Sequence, residues 1–373
     1  MTDHIVVLGA GYAGLAAAKR AAARLRRTAA RVTLVNASSR FVERVRLHQL
    51  AAGRRLAELP LAGLLGGTGV ELVVARATGI DLAARTVRLD GPPYELRYDV
   101  LVYALGSGSG GAAVPGVREH AYPLATADEA LRLRARLAVT GSVTGSVTGS
   151  VTVVGGGLTG IEAAAELARP GLRVELLTTG VAGPGLSARA RGHIRRSLAR
   201  LGVAVREHAA VAKLGPGALL LDDGTELRAE TVVWAAGFAV PALAADAGLA
   251  VDGHGRMLVD ASLRSLSHPD VFGAGDAAAA DRRGRTARMS CQTGLPMGRY
   301  AGEAVADLLT GREPGTARFR FVWQNVSLGR RDGVTQFTRA DDTPLDAVMT
   351  GRASAAFKEA VTRSTVWFLR HPR

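Results

Sequence analysis

Cysteine is nearly absent: Cys291 is the single one in 373 residues. One thiol excludes an internal disulfide, structural or catalytic, and any cysteine-rich metal site, so no metal is expected. Lysine is scarce too, with Lys19, Lys213 and Lys358 the only ones, and the formal charge of +14 is carried almost wholly by arginine. The arginines are scattered, as along residues 189–200, instead of forming a stripe. That pattern reads as a solvated basic surface with a coding bias and disfavours nucleic acid as a partner. No run reaches the 18 or more apolar residues of a membrane span. The first apolar run starts at Ile5, leaving no room for a signal peptide, so the expected location is cytoplasmic.

What the chain does have is a doubled glycine pattern. Gly9, Gly11 and Gly14 follow the apolar run Ile5-Val6-Val7-Leu8 and precede an alanine-rich stretch, and Gly155, Gly157 and Gly160 follow Val151-Thr152-Val153-Val154 and precede residues 161–168. Each GxGxxG therefore has a strand before it and a helix after it, the context its chemistry requires. The first glycine makes the tight turn, the second lets backbone approach a pyrophosphate, and the third lets helix pack on strand. The N–H groups and dipole of the helix start then meet the phosphate charge. A third motif closes residues 269–276, where a strand ends in Gly275-Asp276. That aspartate is placed to accept hydrogen bonds from ribityl hydroxyls, with a helix expected from Ala277 onward. Residues 99–107 and 231–238 are apolar strands closing on small residues.

These motifs, in this order, resemble the two-dinucleotide-binding-domain flavoproteins of the pyridine nucleotide-disulfide oxidoreductase superfamily, across residues 3–310. Within it the chain is most similar to the type II NADH:quinone oxidoreductases. The resemblance implies an α/β fold with two Rossmann-like dinucleotide-binding domains and a small α+β C-terminal region. A discontinuous FAD domain is expected over residues 1–110 and 241–312, an NAD(P) domain over 111–240, and the C-terminal region over 313–373. FAD and NAD(P)H are the implied cofactors. FAD falls to Gly9, Gly11, Tyr12, Ala13, Gly14, Asn36, Arg46, Gly106, Gly275 and Asp276, and NAD(P) to Gly155, Gly157, Leu158, Thr159, Gly160, Thr178 and Gly237. Residues 36–52 contain no cysteine, so disulfide reduction, which the superfamily performs with a thiol pair in that region, is not expected.

Four residues are candidates for chemistry. Glu162, two residues past Gly160, matches a glutamate of the type II enzymes near nicotinamide and flavin. There it would position the nicotinamide or relay a proton; the alternative is a favourable charge at a helix N-terminus. His48, beside Arg44, Arg46 and Gln49 on a helix expected over residues 41–50, would protonate a reduced acceptor near neutral pH. Cys291 and Gln292 open a helix whose N–H groups would face the flavin ring, with Cys291 a redox thiol or a small packing residue. No acid stands at Thr178-Thr179, where NADH users of the family place one, and no arginine is adjacent for a 2′-phosphate, so coenzyme choice stays open.

The Val-Thr-Gly-Ser repeat of residues 139–152 reads as a flexible surface insertion or a strand extension. Residues 319–328 and 334–337 alternate like antiparallel strands, and residues 354–369 read as a helix with Phe357, Val361, Ser364 and Phe368 on one face. That helix is expected either to pack on the domain or a homodimer partner, or to touch the inner face of a membrane through Trp367. The function expected is transfer of electrons from NAD(P)H through flavin to a quinone or other small conjugated acceptor. The alternatives are a biosynthetic flavoenzyme acting on an aromatic metabolite with little NAD(P)H use, and an arginine-rich nucleic-acid-binding flavoprotein.

Overall fold

The computed structural model describes residues 2–111, 113–140, 149–282 and 285–371. Its architecture is mixed α/β, built on two five-stranded sheets, each with every strand pair parallel. In the first, the order is Val271–Gly273, Val100–Tyr103, His4–Leu8, Arg31–Asn36, Val70–Val74. In the second it is Ala204–Arg206, Leu172–Leu177, Gly149–Val154, Thr231–Trp234, Ala121–Pro123. A parallel strand covered on both faces has no polar side, which is why Ile5 to Leu8 and Val100 to Tyr103 read as unbroken apolar runs and are buried throughout. In the first sheet the chain starts at the middle strand, and in the second it enters at the edge strand Ala121–Pro123 before taking the middle one; from the middle strand both run outward one way, then return to the other side of that strand. The reversal leaves a crevice at the strands' carboxyl ends, where ligands of open α/β sheets bind.

The two units are joined by an antiparallel ribbon of Gly108–Ser109 with Phe238–Ala239. Both crossings turn on glycines in left-handed conformation, Gly106 and Gly237, each at φ +70°. The C-terminal region is a three-stranded antiparallel sheet, Trp323–Ser327, Gly333–Thr338 and Pro344–Thr350, followed by the helix Gly351–Arg370.

Several expectations change here. Residues 41–50 form no single helix: a 3-10 turn, Arg44–Arg46, leads into a short helix, Leu47–Ala51. After Asp276 comes no helix but the strand Ala278–Arg282, paired with Met257–Val259; the helix next to the Gly-Asp turn is Cys291–Leu309. The C-terminal helix does not dock on its apolar face. Its buried residues are Ser354, Thr362, Thr365 and Leu369, while Phe368 is 55% exposed. The cause is the partner surface, since Ser354 and Thr335 hydroxyls pair at 2.8 Å in a seam built from small polar side chains. A third C-terminal strand, Pro344–Thr350, was not foreseen. Residues 141–148 of the four-residue repeat lie outside the described residues.

The helices Tyr12–Leu25 and Cys291–Leu309 pack backbone to backbone. A Cβ on Gly298 would run into the carbonyl group of Ala13, with its carbon at 2.8 Å and Cα at 2.9 Å, and one on Gly302 would meet the Ala17 carbonyl oxygen at 2.5 Å. Lys19, in the middle of the first helix, is 2% exposed. Its ammonium donates to the carbonyls of Leu64 (2.7 Å) and Leu369 (2.5 Å), so the end of the C-terminal helix is held against the first unit. Gly298→Ala is expected to cost about 2 kcal/mol or more through overpacking. Thermal unfolding checks it: a melting temperature equal to wild type would mean that the two helices have room to separate.

Candidate functional site

Both glycine fingerprints fold into the same construction. Gly9 (φ +95°) and Gly155 (φ +128°) take a left-handed turn closed to other residues, and a Cβ on them would strike Ala104 O at 2.5 Å or Ala235 C and O at 2.7 Å. Gly14 and Gly160 sit against the carbonyls of Gly9 and Gly155, with no space for any side chain. The middle glycines differ. Gly11 and Gly157 have ordinary φ of −70° and meet no protein atom within 4 Å. The protein's own packing does not require glycine there, and the bare backbone is open to approach from outside. The helices that start at these points, Tyr12–Leu25 and Leu158–Leu167, have no side-chain cap, whereas Ala188–Arg200 and Cys291–Leu309 are capped by Ser187 and Ser290. Two helix starts with unspent N–H groups beside bare backbone fit two pyrophosphates.

Around the first cradle, Asp276 Oδ2 accepts from Ser107 Oγ at 2.7 Å and has Arg44 Nη1 at 3.9 Å. Gly275 (φ +75°) and Gly294 pack on Ala13, which brings the start of Cys291–Leu309 to the same place. Tyr12 is buried, its ring edge-on to Phe41 at 5.1 Å. Asn36 spends its side chain inside the protein, accepting from Ala10 N (2.9 Å) and donating to Ser38 O (2.7 Å), which fixes the loop of the first cradle. Arg46, expected at FAD, is instead consumed by Glu43, Gln49 and Glu359; Arg44 is the arginine that faces Asp276. Burial pushes the Cys291 thiol up, which favours the neutral thiol. Gln292 Oε1 accepts from Arg288 Nη2 at 3.0 Å.

At the second cradle, Leu158 and Thr159 open the helix, and Thr178 lies buried below it, where a Cβ on Gly156 would touch its side chain. The Thr178 N–H donates to Arg206 O at 3.0 Å, so an arginine does stand at the end of the neighbouring strand, contrary to expectation. Its Nε donates to Glu175 at 3.2 Å.

Glu162 is the fifth residue of its helix, past the first turn, so the N-terminal charge reading does not apply. It is 8% exposed and points at the C-terminal region. Oε1 accepts from Ser327 N at 2.9 Å and is in direct contact with the Lys358 ammonium, while Oε2 is 3.7 Å from His48 Nδ1. Three stretches of chain far apart in sequence meet on this carboxylate. Burial, reinforced by the Arg46 guanidinium and opposed by Glu359, pushes the Lys358 pKa down to about 7. His48 is 3% exposed, and its Nε2 has no hydrogen-bond partner among the described residues. Burial, with Lys358, Arg54 and Arg46 around it, holds its pKa well below the ordinary value. The expected role as an imidazolium acid at neutral pH is therefore corrected: His48 is neutral there. Lys358 and Ser327 were missed in sequence because nothing local marks them. No group of metal-ligating side chains occurs among the described residues.

Two dinucleotide cradles on two parallel sheets, with Asp276 at one and a buried acid–lysine pair beside them, define a flavoprotein oxidoreductase of the two-nucleotide type. The family model for pyridine nucleotide-disulphide oxidoreductases matches residues 3–298, and the chain belongs to that family. It is an FAD-dependent NAD(P)H oxidoreductase. It is 38% identical over 319 residues to an NADH dehydrogenase-like protein of Mycobacterium tuberculosis, covering 80% of this chain and 79% of that one. With a type II NADH:quinone oxidoreductase of Staphylococcus saprophyticus it shares 27% over 366 residues, 88% of each chain. Among solved structures it superposes on NDH2 from Plasmodium falciparum in complex with NADH, with TM-score 0.83 and 15% identity over 99% of this chain and 96% of that one. It also superposes on the sulfide:quinone oxidoreductase of Aquifex aeolicus, with TM-score 0.82 and 21% identity over 99% and 92%.

The site carries two tests. Gly11→Ala should leave the stability of flavin-free protein unchanged and weaken FAD retention, whereas Gly14→Ala should unfold the protein. Loss of stability in Gly11→Ala, measured by thermal melting without flavin, would contradict the open cradle. His48 supplies the second. Its folded pKa lies below the unfolded 6.5, so below that pH the unfolded chain binds a proton that the native one refuses. Its contribution is complete above pH 6.5 and is lost as pH falls, at no more than about 1.4 kcal/mol per pH unit for one proton. Melting curves of wild type and His48→Gln should converge from pH 6.5 to 5; parallel curves would show that His48 ionises freely.

Proposed function

We propose that this protein takes a hydride from NAD(P)H and delivers the electrons to a quinone. The observation that carries the reading is the pair of middle glycines, Gly11 and Gly157, left bare of protein contact at two uncapped helix starts. Names of the relatives supply the acceptor class, since several are type II NADH:quinone oxidoreductases. In this reading Gly9 to Gly14 would hold the FAD pyrophosphate, and Asp276, Ser107 and Arg44 would bind its ribityl chain. NAD(P)H lies over Gly155 to Gly160 with Thr178 below, and the domain division is residues 1–110 with 241–312 against 111–240. The flavin supplies hydride acceptance and electron transfer.

The chain's own residues supply protons. Reducing a quinone to a quinol takes up one proton beyond the hydride. Lys358 Nζ, in contact with the Glu162 carboxylate that the Ser327 N–H orients, has its pKa pushed down to about 7, so it can release and recover a proton at neutral pH. Under anaerobic stopped flow, NADH and NADPH should each be tried as reductant and menadione as oxidant. Lys358→Met should slow reoxidation by menadione at least tenfold and flatten its pH dependence near 7 while flavin reduction continues. The double variant Glu162→Gln/Lys358→Met, which buries no unpaired charge, controls for folding. Reoxidation at the wild-type rate in both variants would remove Lys358 from the proton path.

The quinone reading extends to a membrane surface. No helix among the described residues is long and apolar enough to cross a membrane. The C-terminal helix nonetheless ends in Trp367 and Phe368, 47% and 55% exposed with rings 5.2 Å apart, flanked by exposed Arg363 and Arg370. Aromatic rings beside arginines suit the headgroup layer on the inner face of a membrane. Vesicles with anionic lipid should co-sediment with wild type and much less with Trp367→Ser/Phe368→Ser. Equal sedimentation would place the contact elsewhere.

A further inference from the structure

Arg288 precedes Ser290, the cap of the helix Cys291–Leu309. Its guanidinium lies between that helix start, beside the first cradle, and the C-terminal region. Nη2 donates to Gln292 Oε1 at 3.0 Å, and the Phe321 ring centre lies 5.1 Å from Cζ. Asp342 Oδ2 is 3.4 Å from Nε but out of hydrogen-bonding alignment. Nε and Nη1 are both buried, and neither has a hydrogen-bond partner among the described residues. A guanidinium does not shed its proton, and buried donors in folded proteins are almost always paired. Two idle donors on this guanidinium, whose side chain is 25% exposed and whose ion-pair partner Asp342 is misaligned, leave it able to take an acceptor atom that arrives with a bound molecule. The cation itself favours a negative one. Cys291 is a neutral thiol, and the positive end of the 19-residue helix Cys291–Leu309 adds to the field of Arg288. Gln292, the residue that Arg288 holds, is itself on the first turn of that helix.

We propose that Arg288 is a specificity residue of the acceptor site, selecting quinonoid acceptors that carry an ionised oxygen, of the hydroxyquinone class, over neutral ones. The proposal rests on the quinone reading above and narrows its substrate class. Arg288 binds the ionised oxygen by charge-assisted hydrogen bonds, and Gln292 fixes the guanidinium plane.

The test uses FAD-loaded enzyme with two probes: 2-hydroxy-1,4-naphthoquinone, ionised at neutral pH, and its neutral 2-methoxy ether. Wild type should show a kcat/KM at least tenfold higher for the hydroxy compound, expressed mainly in KM. Arg288→Met should lower the ratio of the two kcat/KM values at least tenfold, and Arg288→Lys should restore part of it. Direct titration of oxidised enzyme with the hydroxy compound, followed by flavin difference spectra, should show the same loss of affinity. A wild type that prefers the methoxy ether, or a ratio and an affinity that Arg288→Met leaves within twofold, overturns the proposal. If wild type reduces neither probe, the quinone reading of the function fails, and the binding titration alone decides the role of Arg288.

Discussion

A carboxylate buried where three stretches of chain converge constrains the rest of this molecule. Taking an ionised carboxyl out of water costs several kcal/mol unless partners answer it. Glu162 finds them 165 and 196 residues away, at Ser327 and Lys358. The lysine, once buried, lies near the Arg46 guanidinium, and Arg46 in turn is answered by Glu43 and Glu359. Each charge obliges the next. The C-terminal helix is thus fixed in phase by the ion pairs of Lys358 and Glu359, and it docks through Ser354, Thr362, Thr365 and Leu369 while Phe368 stays outside. The same phase leaves Trp367 and Phe368 on the outside.

The two cradles divide labour among glycines in a way that the sequence motif alone does not reveal. Gly9, Gly14, Gly155 and Gly160 are demanded by the fold, because backbone carbonyls occupy the space of a side chain. Gly11 and Gly157 are not demanded by the fold, since a side chain there would meet no protein atom within 4 Å. Local rigidity and access are therefore separable, since the turn glycines hold the helix start against its strand while the middle glycine keeps the approach clear. Around this frame part of the positive charge of the chain is answered by ion pairs, such as Arg54 with Glu166 and Arg20 with Glu303. Arg288 differs in keeping two buried guanidinium nitrogens without a hydrogen-bond partner although Asp342 lies 3.4 Å from one of them.

Strand–glycine–helix units were legible from the sequence because every part of them is local. An apolar run, a turn that only glycine can make and an alanine-rich helix start lie within about twenty residues, and each fails visibly if one part is missing. Asp276 was legible for the same reason, at the end of its own strand. The helix expected from Ala277 was not observed, since pairing of Ala278–Arg282 with Met257–Val259 outweighs the helix propensity of alanine.

The sequence by itself determined the two nucleotide units, their order and the lack of any disulfide or cysteine-rich metal chemistry, because these depend on neighbours along the chain or on composition. Tertiary structure decided what the charged residues do. Arg46 and Arg44 are two residues apart and of one type, yet one is consumed by Glu43 and Glu359 and the other faces Asp276. His48 looks like a titrating acid by residue type, but it is buried among cations and stays neutral. Lys358 resembles any solvated lysine on a helix until the fold carries it onto Glu162. Charge acts through space and through the loss of water, and neither the distance nor the burial of a side chain is written in the residues beside it.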